Sequence, residues 1–168
     1  WSACLLMPLD AQTQVRVPDA TRFRVQAVAG VDAQATLTGG HQWPRLPIDG
    51  RARDLSTPWT LPRKVMVTGW LDLAGSRSAL HLKQQGTTLT IAMDGEGVPH
   101  CGLVLDRGGL RTGAARGLFA RPIPPALALM PSLGAPDRYA EAMGDWQSIT
   151  WLVPGEPRHW TMILRAEK

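Results

Sequence analysis

The sequence predicts an all-β protein, mainly an antiparallel β-sandwich or small barrel, with long loops and one or two short helices in 122–146. Three observations carry this. Apolar and polar residues alternate with period two in segment after segment, the mark of strands with one buried face. Turn pairs such as Gln85-Gly86 and Asp94-Gly95 separate those segments at hairpin spacing. Outside 107–146 no stretch keeps a helical period, and about nine strand-like segments point to a sandwich or barrel.

The elements follow in order. Val15 and Val17 flank Arg16 in strand fashion. In 21–30, Phe23, Val25, Ala27 and Ala29 face one way and Arg22, Arg24 and Gln26 the other, with 33–38 expected as a short partner strand. The stretch from Gly39 to Pro62 holds Gly40, Pro44, Pro47, Gly50 and Pro58 and is expected to be loop with little regular structure. Strand character resumes in 64–73, where Val65, Val67 and Leu71 oppose Met66, Trp70 and Asp72. Residues 78–84 and 87–94 form a hairpin through Gln85-Gly86, with Leu80, Leu82, Leu89, Ile91 and Met93 on its apolar face. Segment 98–106 is apolar almost throughout, as expected of a central strand. At the C-terminal end, Ile149, Trp151 and Val153 are expected to pair with Trp160, Met162 and Leu164 across Pro154-Gly155.

Between these lies 107–146, the least strand-like part of a chain otherwise read as one domain over 1–168. Its first half is rich in Gly and Arg. Its second half reads as short helix, with Asp137 as a start and Gly144 as a stop. So long an excursion from a compact β domain marks a functional or disordered loop.

Composition bounds the function. The chain has 168 residues, 44% of them hydrophobic, and no apolar run long enough for a membrane span. Its 15 Arg against 3 Lys and its lack of Asn follow G/C-rich codon usage, so the net charge of +4 says little about a partner. The surplus lies in residues 1–84, with ten basic and six acidic side chains against eight of each in 85–168. A nucleic-acid binder would cluster its cations more densely among aromatics, which argues against nucleic acid.

Cys4 and Cys101 are expected to form the single disulfide that two cysteines allow, which together with an opening on Trp1 rather than Met suggests an exported bacterial protein, periplasmic or secreted. Trp1-Ser2-Ala3-Cys4 resembles the tail of a bacterial lipoprotein signal, with Cys4 as the lipid-bearing residue, although Trp1 stands where such signals carry Leu. Two buried thiols in a cytoplasmic chain are the alternative.

The candidate binding residues are Arg107, Arg111, Arg116 and Arg121, set among glycines, together with Trp43 and Trp59 in the Pro-rich loop. Arg forks bind carboxylate or phosphate, and glycines let a backbone approach a ligand. His100-Cys101 places an imidazole beside a thiol, but neighbours on one strand point to opposite faces, so the pair cannot bond to each other. His41, His81, His100 and His159 lack metal-site spacing, and no nucleotide-binding, GxSxG or HExxH motif occurs, so neither metal nor cofactor is expected. The leading expectation is an exported envelope protein, not an enzyme, that binds another protein through its loops as an inhibitor or immunity factor against a secreted toxin or hydrolase. A hydrolase or toxin domain using Cys101 or a histidine is the first alternative. A polysaccharide or anionic-polymer module built on Trp43, Trp59 and the Arg segment is the second.

Overall fold

The computed structural model describes residues 4–17, 22–30, 39–73, 77–95, 100–108, 124–132, 134–135, 139–144, 146–148, 153–157 and 159–168. Along the chain these form β1 (Leu5–Pro8), β2 (Gln14–Arg16), β3 (Arg22–Ala29), β4 (Gly39–Gln42), β5 (Arg45–Ile48), β6 (Arg51–Asp54), β7 (Met66–Asp72), β8 (Arg77–Gln84), β9 (Thr87–Gly95), β10 (His100–Asp106), β11 (Ala126–Ser132) and β12 (Trp160–Glu167). A 3-10 turn spans Pro58–Thr60, and the single described helix, α1, is Tyr139–Met143. None of the described helices is long and apolar enough to cross a membrane.

Strands β1-β11-β10-β7-β3-β4 make a six-stranded sheet and β12-β9-β8-β2 a four-stranded one, every pairing antiparallel. The inner faces of the two sheets share one core. The larger sheet contributes Phe23, Val25, Val67, Leu71, Leu103, Leu105, Leu127 and Leu129, and the smaller one Val15, Leu80, Leu82, Ile91 and Met93. Apart from Leu127 and Leu129 of β11, these residues lie in the segments whose sequence reads as strand, so burial of one face per strand is what selects the fold. The continuously apolar β10 lies inside the larger sheet, between β11 and β7, as its composition demands. Gln85 and Gly86 turn β8 into β9 with φ of 48° and 79°, the positive pair that a two-residue hairpin needs.

Several elements differ from expectation. The Pro-rich stretch is not irregular: β4 joins the edge of the larger sheet, and β5 and β6 form a hairpin through Asp49-Gly50, with φ of 51° and 68°. Leu46 and Ile48 of that hairpin and the following Leu55 and Leu61 are fully buried, so the segment closes the core instead of hanging from it. Part of the expected helical stretch is β11, which inserts between β1 and β10 and buries Leu127 and Leu129. Among the described residues of this stretch the helix is confined to α1. Trp160, Met162 and Leu164 lie opposite Gly95, Met93 and Ile91 of β9, so β12 docks on the β8–β9 hairpin. The expected strand at 33–38, and Ile149 and Trp151, lie outside the described residues.

The expected disulfide is absent, and both cysteines are free. The registers explain why. Leu5 lies opposite Leu129, so continuing β1 by one residue sets Cys4 beside Met130, whose other neighbour is Gly102. Strand β11 therefore separates Cys4 from the strand that carries Cys101. Two strand spacings come to about 9.6 Å, beyond the roughly 4.4–6.8 Å between Cα atoms that a disulfide spans. Cys4 is exposed, whereas Cys101 is buried on the core face.

Candidate functional site

At one end of the larger sheet, β10 stops at the buried Asp106, whose Oδ1 accepts the Gly108 N–H at 2.8 Å. That turn carries Arg107 out of the strand and against the chain before β7. The Arg107 N–H donates to the Val65 carbonyl at 2.9 Å, and the Lys64 N–H donates to the Arg107 carbonyl at 3.0 Å. On the facing side the 3-10 turn opens with Pro58, whose fixed φ suits a first helical position, and is closed by the Thr60 N–H on the Thr57 carbonyl at 2.9 Å. Buried Leu55, Pro58 and Leu61 anchor this turn and leave Trp59 38% exposed.

The two loops meet in a stack. The Arg107 guanidinium carbon lies 3.7 Å from the centre of the Trp59 ring, and Arg107 Nε donates to the Leu61 carbonyl at 3.4 Å. Burial, followed by the nearby Arg63 charge, lowers the Arg107 pKa from its ordinary value, yet a guanidinium stays protonated at neutral pH. Arg63 and Lys64 are exposed beside it, Lys64 with a left-handed φ of 66°. Among the described residues none of these three cations forms an ion pair with an acid. An Arg flat on an indole keeps its in-plane N–H edge for a carboxylate or phosphate, and the stack fixes that edge in advance.

Of the residues singled out in the sequence, the structure thus joins Arg107 and Trp59. Trp43 is elsewhere: it packs edge-on against Phe23, ring centres 5.8 Å apart, at the margin of the core. Arg111, Arg116 and Arg121 lie outside the described residues. Cys101 is shut in, and burial pushes its thiol up to about 12, so it is a poor nucleophile at neutral pH.

A second cluster, on the outer face of the same sheet, escaped the sequence reading. His100 Nδ1 lies 3.1 Å from Asp72 Oδ1, and the other Asp72 oxygen accepts Arg24 Nε at 2.9 Å. Arg24 Nη1 also donates to the Trp146 carbonyl at 3.0 Å, and its guanidinium carbon lies 5.3 Å from the centre of the Trp146 ring. Burial acts to raise the Asp72 pKa, but the His100 hydrogen bond and the Arg24 charge outweigh it and hold the carboxyl below its usual value. The nearby loop is closed by the Ser148 N–H on the Ala142 carbonyl at 3.0 Å and by Ser148 Oγ on the Ala135 carbonyl.

Comparison of the chain with protein-family models, with curated proteins and with solved structures finds no match.

Proposed function

We propose that this chain is a β-sandwich binding domain that engages an acidic surface of another protein through Trp59, Arg63 and Arg107, in the manner of an inhibitor or immunity factor. The supporting observation is the Arg107–Trp59 stack, contributed by two separate loops at one end of the sheet. Trp and Arg are the residues that most often dominate protein interfaces, and a stacked Arg loses little further entropy on binding. The flanking Arg63 and Lys64 favour an anionic partner and speed its approach. The expectation of export drew on a Cys4–Cys101 bond; with the cysteines unpaired, the proposal is confined to binding.

The test is capture of partners on the immobilised chain beside Trp59→Ala and Arg107→Ala variants of unchanged melting temperature. A partner held by the parent should be lost by both, since hot-spot truncation costs about 2 kcal/mol or more, roughly thirty-fold in affinity. Retention should fall as salt rises. Partners held equally by parent and variants would remove the site from the interface, and release by neutral oligosaccharide would favour the polysaccharide alternative.

A further inference from the structure

The outer face of the larger sheet holds a row of polar side chains that the binding reading does not use. The registers set Arg22 opposite Asp72, Asp72 opposite His100, and His100 opposite Ser132, on the successive strands β3, β7, β10 and β11. Residues directly opposite one another share a face, and here Leu71, Cys101 and Pro131 take the inner one. Asp72, His100 and Ser132 therefore stand side by side, about 5 Å apart along the row at the usual strand spacing.

Their order carries a chemistry. Asp72 accepts from His100 Nδ1, and Arg24 holds the second Asp72 oxygen, so the carboxylate cannot turn away. The two ring nitrogens of an imidazole lie on different edges. With Nδ1 given to Asp72, Nε2 is the ring nitrogen left for Ser132 on the next strand, whose Oγ is not hydrogen-bonded to it in this structure. Ser132 is the last residue of β11 and half-buried, whereas His100 is only 9% exposed, so a substrate meets the row at the serine. The Gly134 N–H, which Ser132 Oγ accepts at a long 3.4 Å, is a backbone donor already beside that oxygen.

We propose that Ser132, His100 and Asp72 form an acyl-transfer site for small esters, with Ser132 as nucleophile, His100 as general base and Asp72 as the positioning residue for the imidazole. Ser132 Oγ bonds to the ester carbonyl carbon as its proton passes to His100 Nε2. The carbon–alkoxy bond then breaks and the departing alcohol takes that proton. Water, deprotonated by His100, attacks the acyl-serine, the ester bond to Oγ breaks, and the carboxylic acid leaves with Ser132 reprotonated. Arg107 follows the far end of β10, roughly 24 Å away at about 3.4 Å per residue, so this site stands or falls apart from the binding surface.

The whole chain is treated with an alkyl fluorophosphonate, in which serine oxygen displaces fluoride from phosphorus, and the adduct is located by peptide mass mapping. A single phosphonyl adduct on Ser132 is expected, absent in Ser132→Ala and slowed at least a hundred-fold in His100→Gln. No adduct on Ser132, an adduct elsewhere, or one no faster than on heat-unfolded chain overturns the proposal. The unmutated protein alone decides this, so a variant that fails to fold does not blur the result.

Discussion

Arg107 acts through the shape of its head group as well as through its charge. Its planar head lies 3.7 Å above Trp59, a geometry that a lysine ammonium cannot reproduce. Arg107→Lys should therefore weaken partner capture nearly as much as Arg107→Ala, whereas Arg63→Lys, at an exposed position, should lower it less than threefold. Equal tolerance of both lysine variants would mean that charge alone is read. Asp72 makes a second case. Its folded pKa lies below the ordinary value, so its ionised form stabilises the fold, fully above about pH 4. That contribution fades as pH falls through the lowered folded value. Urea midpoints of the parent should drop between pH 5 and pH 2.5 by more than those of Asp72→Asn, which has no such proton to take up. Neither partnership was legible in the sequence: 28 residues separate Asp72 from His100, and only the register of β7 on β10 brings them together. Arg107 and Trp59 were legible one at a time, as an Arg among glycines and a Trp among prolines, but not as a pair.

At the scale of elements, hairpins with a local turn signal were the most legible. Gln85-Gly86 marked the β8–β9 hairpin, and the same kind of signal in Asp49-Gly50 was outweighed by the prolines around it. Pro47 is tolerated because, among the described residues, β5 pairs with β6 alone, so one edge of the strand needs no N–H donor. Strand β11 was missed for another reason: Leu127 and Leu129 alternate with Ala126 and Ala128, and small apolar residues hide a period of two. Two glycines show how differently turn and strand interior respond to substitution. Gly50 has open space where a Cβ would go, so Gly50→Ala costs only its left-handed backbone, about 1–2 kcal/mol. At Gly69, in β7, a Cβ would lie 2.5 Å from the Arg24 carbonyl oxygen and 2.5 Å from the Phe23 ring. The paired strand cannot retreat, so Gly69→Ala should lower the melting temperature further than Gly50→Ala. The reverse order would show that β3 and β7 are not packed as described.

For the molecule as a whole, alternation told which residues face the core but not which strands become neighbours, because pairing such as β1 on β11 joins segments more than a hundred residues apart. The cysteines show the consequence. An even count made a bond between Cys4 and Cys101 attractive, and only the insertion of β11 between their strands removes it. This can be checked on the intact protein. A bond closing a loop of about 100 residues would contribute up to about 4.7 kcal/mol, roughly 10 °C or more in melting temperature for a domain of this size. Reductant should instead leave the melting temperature unchanged, because the core shared by the two sheets stabilises the fold without a cross-link. Iodoacetamide should modify exposed Cys4 in the native state. Cys101, buried and with its thiol pushed up to about 12, should react only as fast as the sheet opens, at least a thousand-fold slower. A fall in melting temperature on reduction would place β1 and β10 side by side and require a different strand order for the larger sheet, and equal labelling of the two thiols would take Cys101 out of the core.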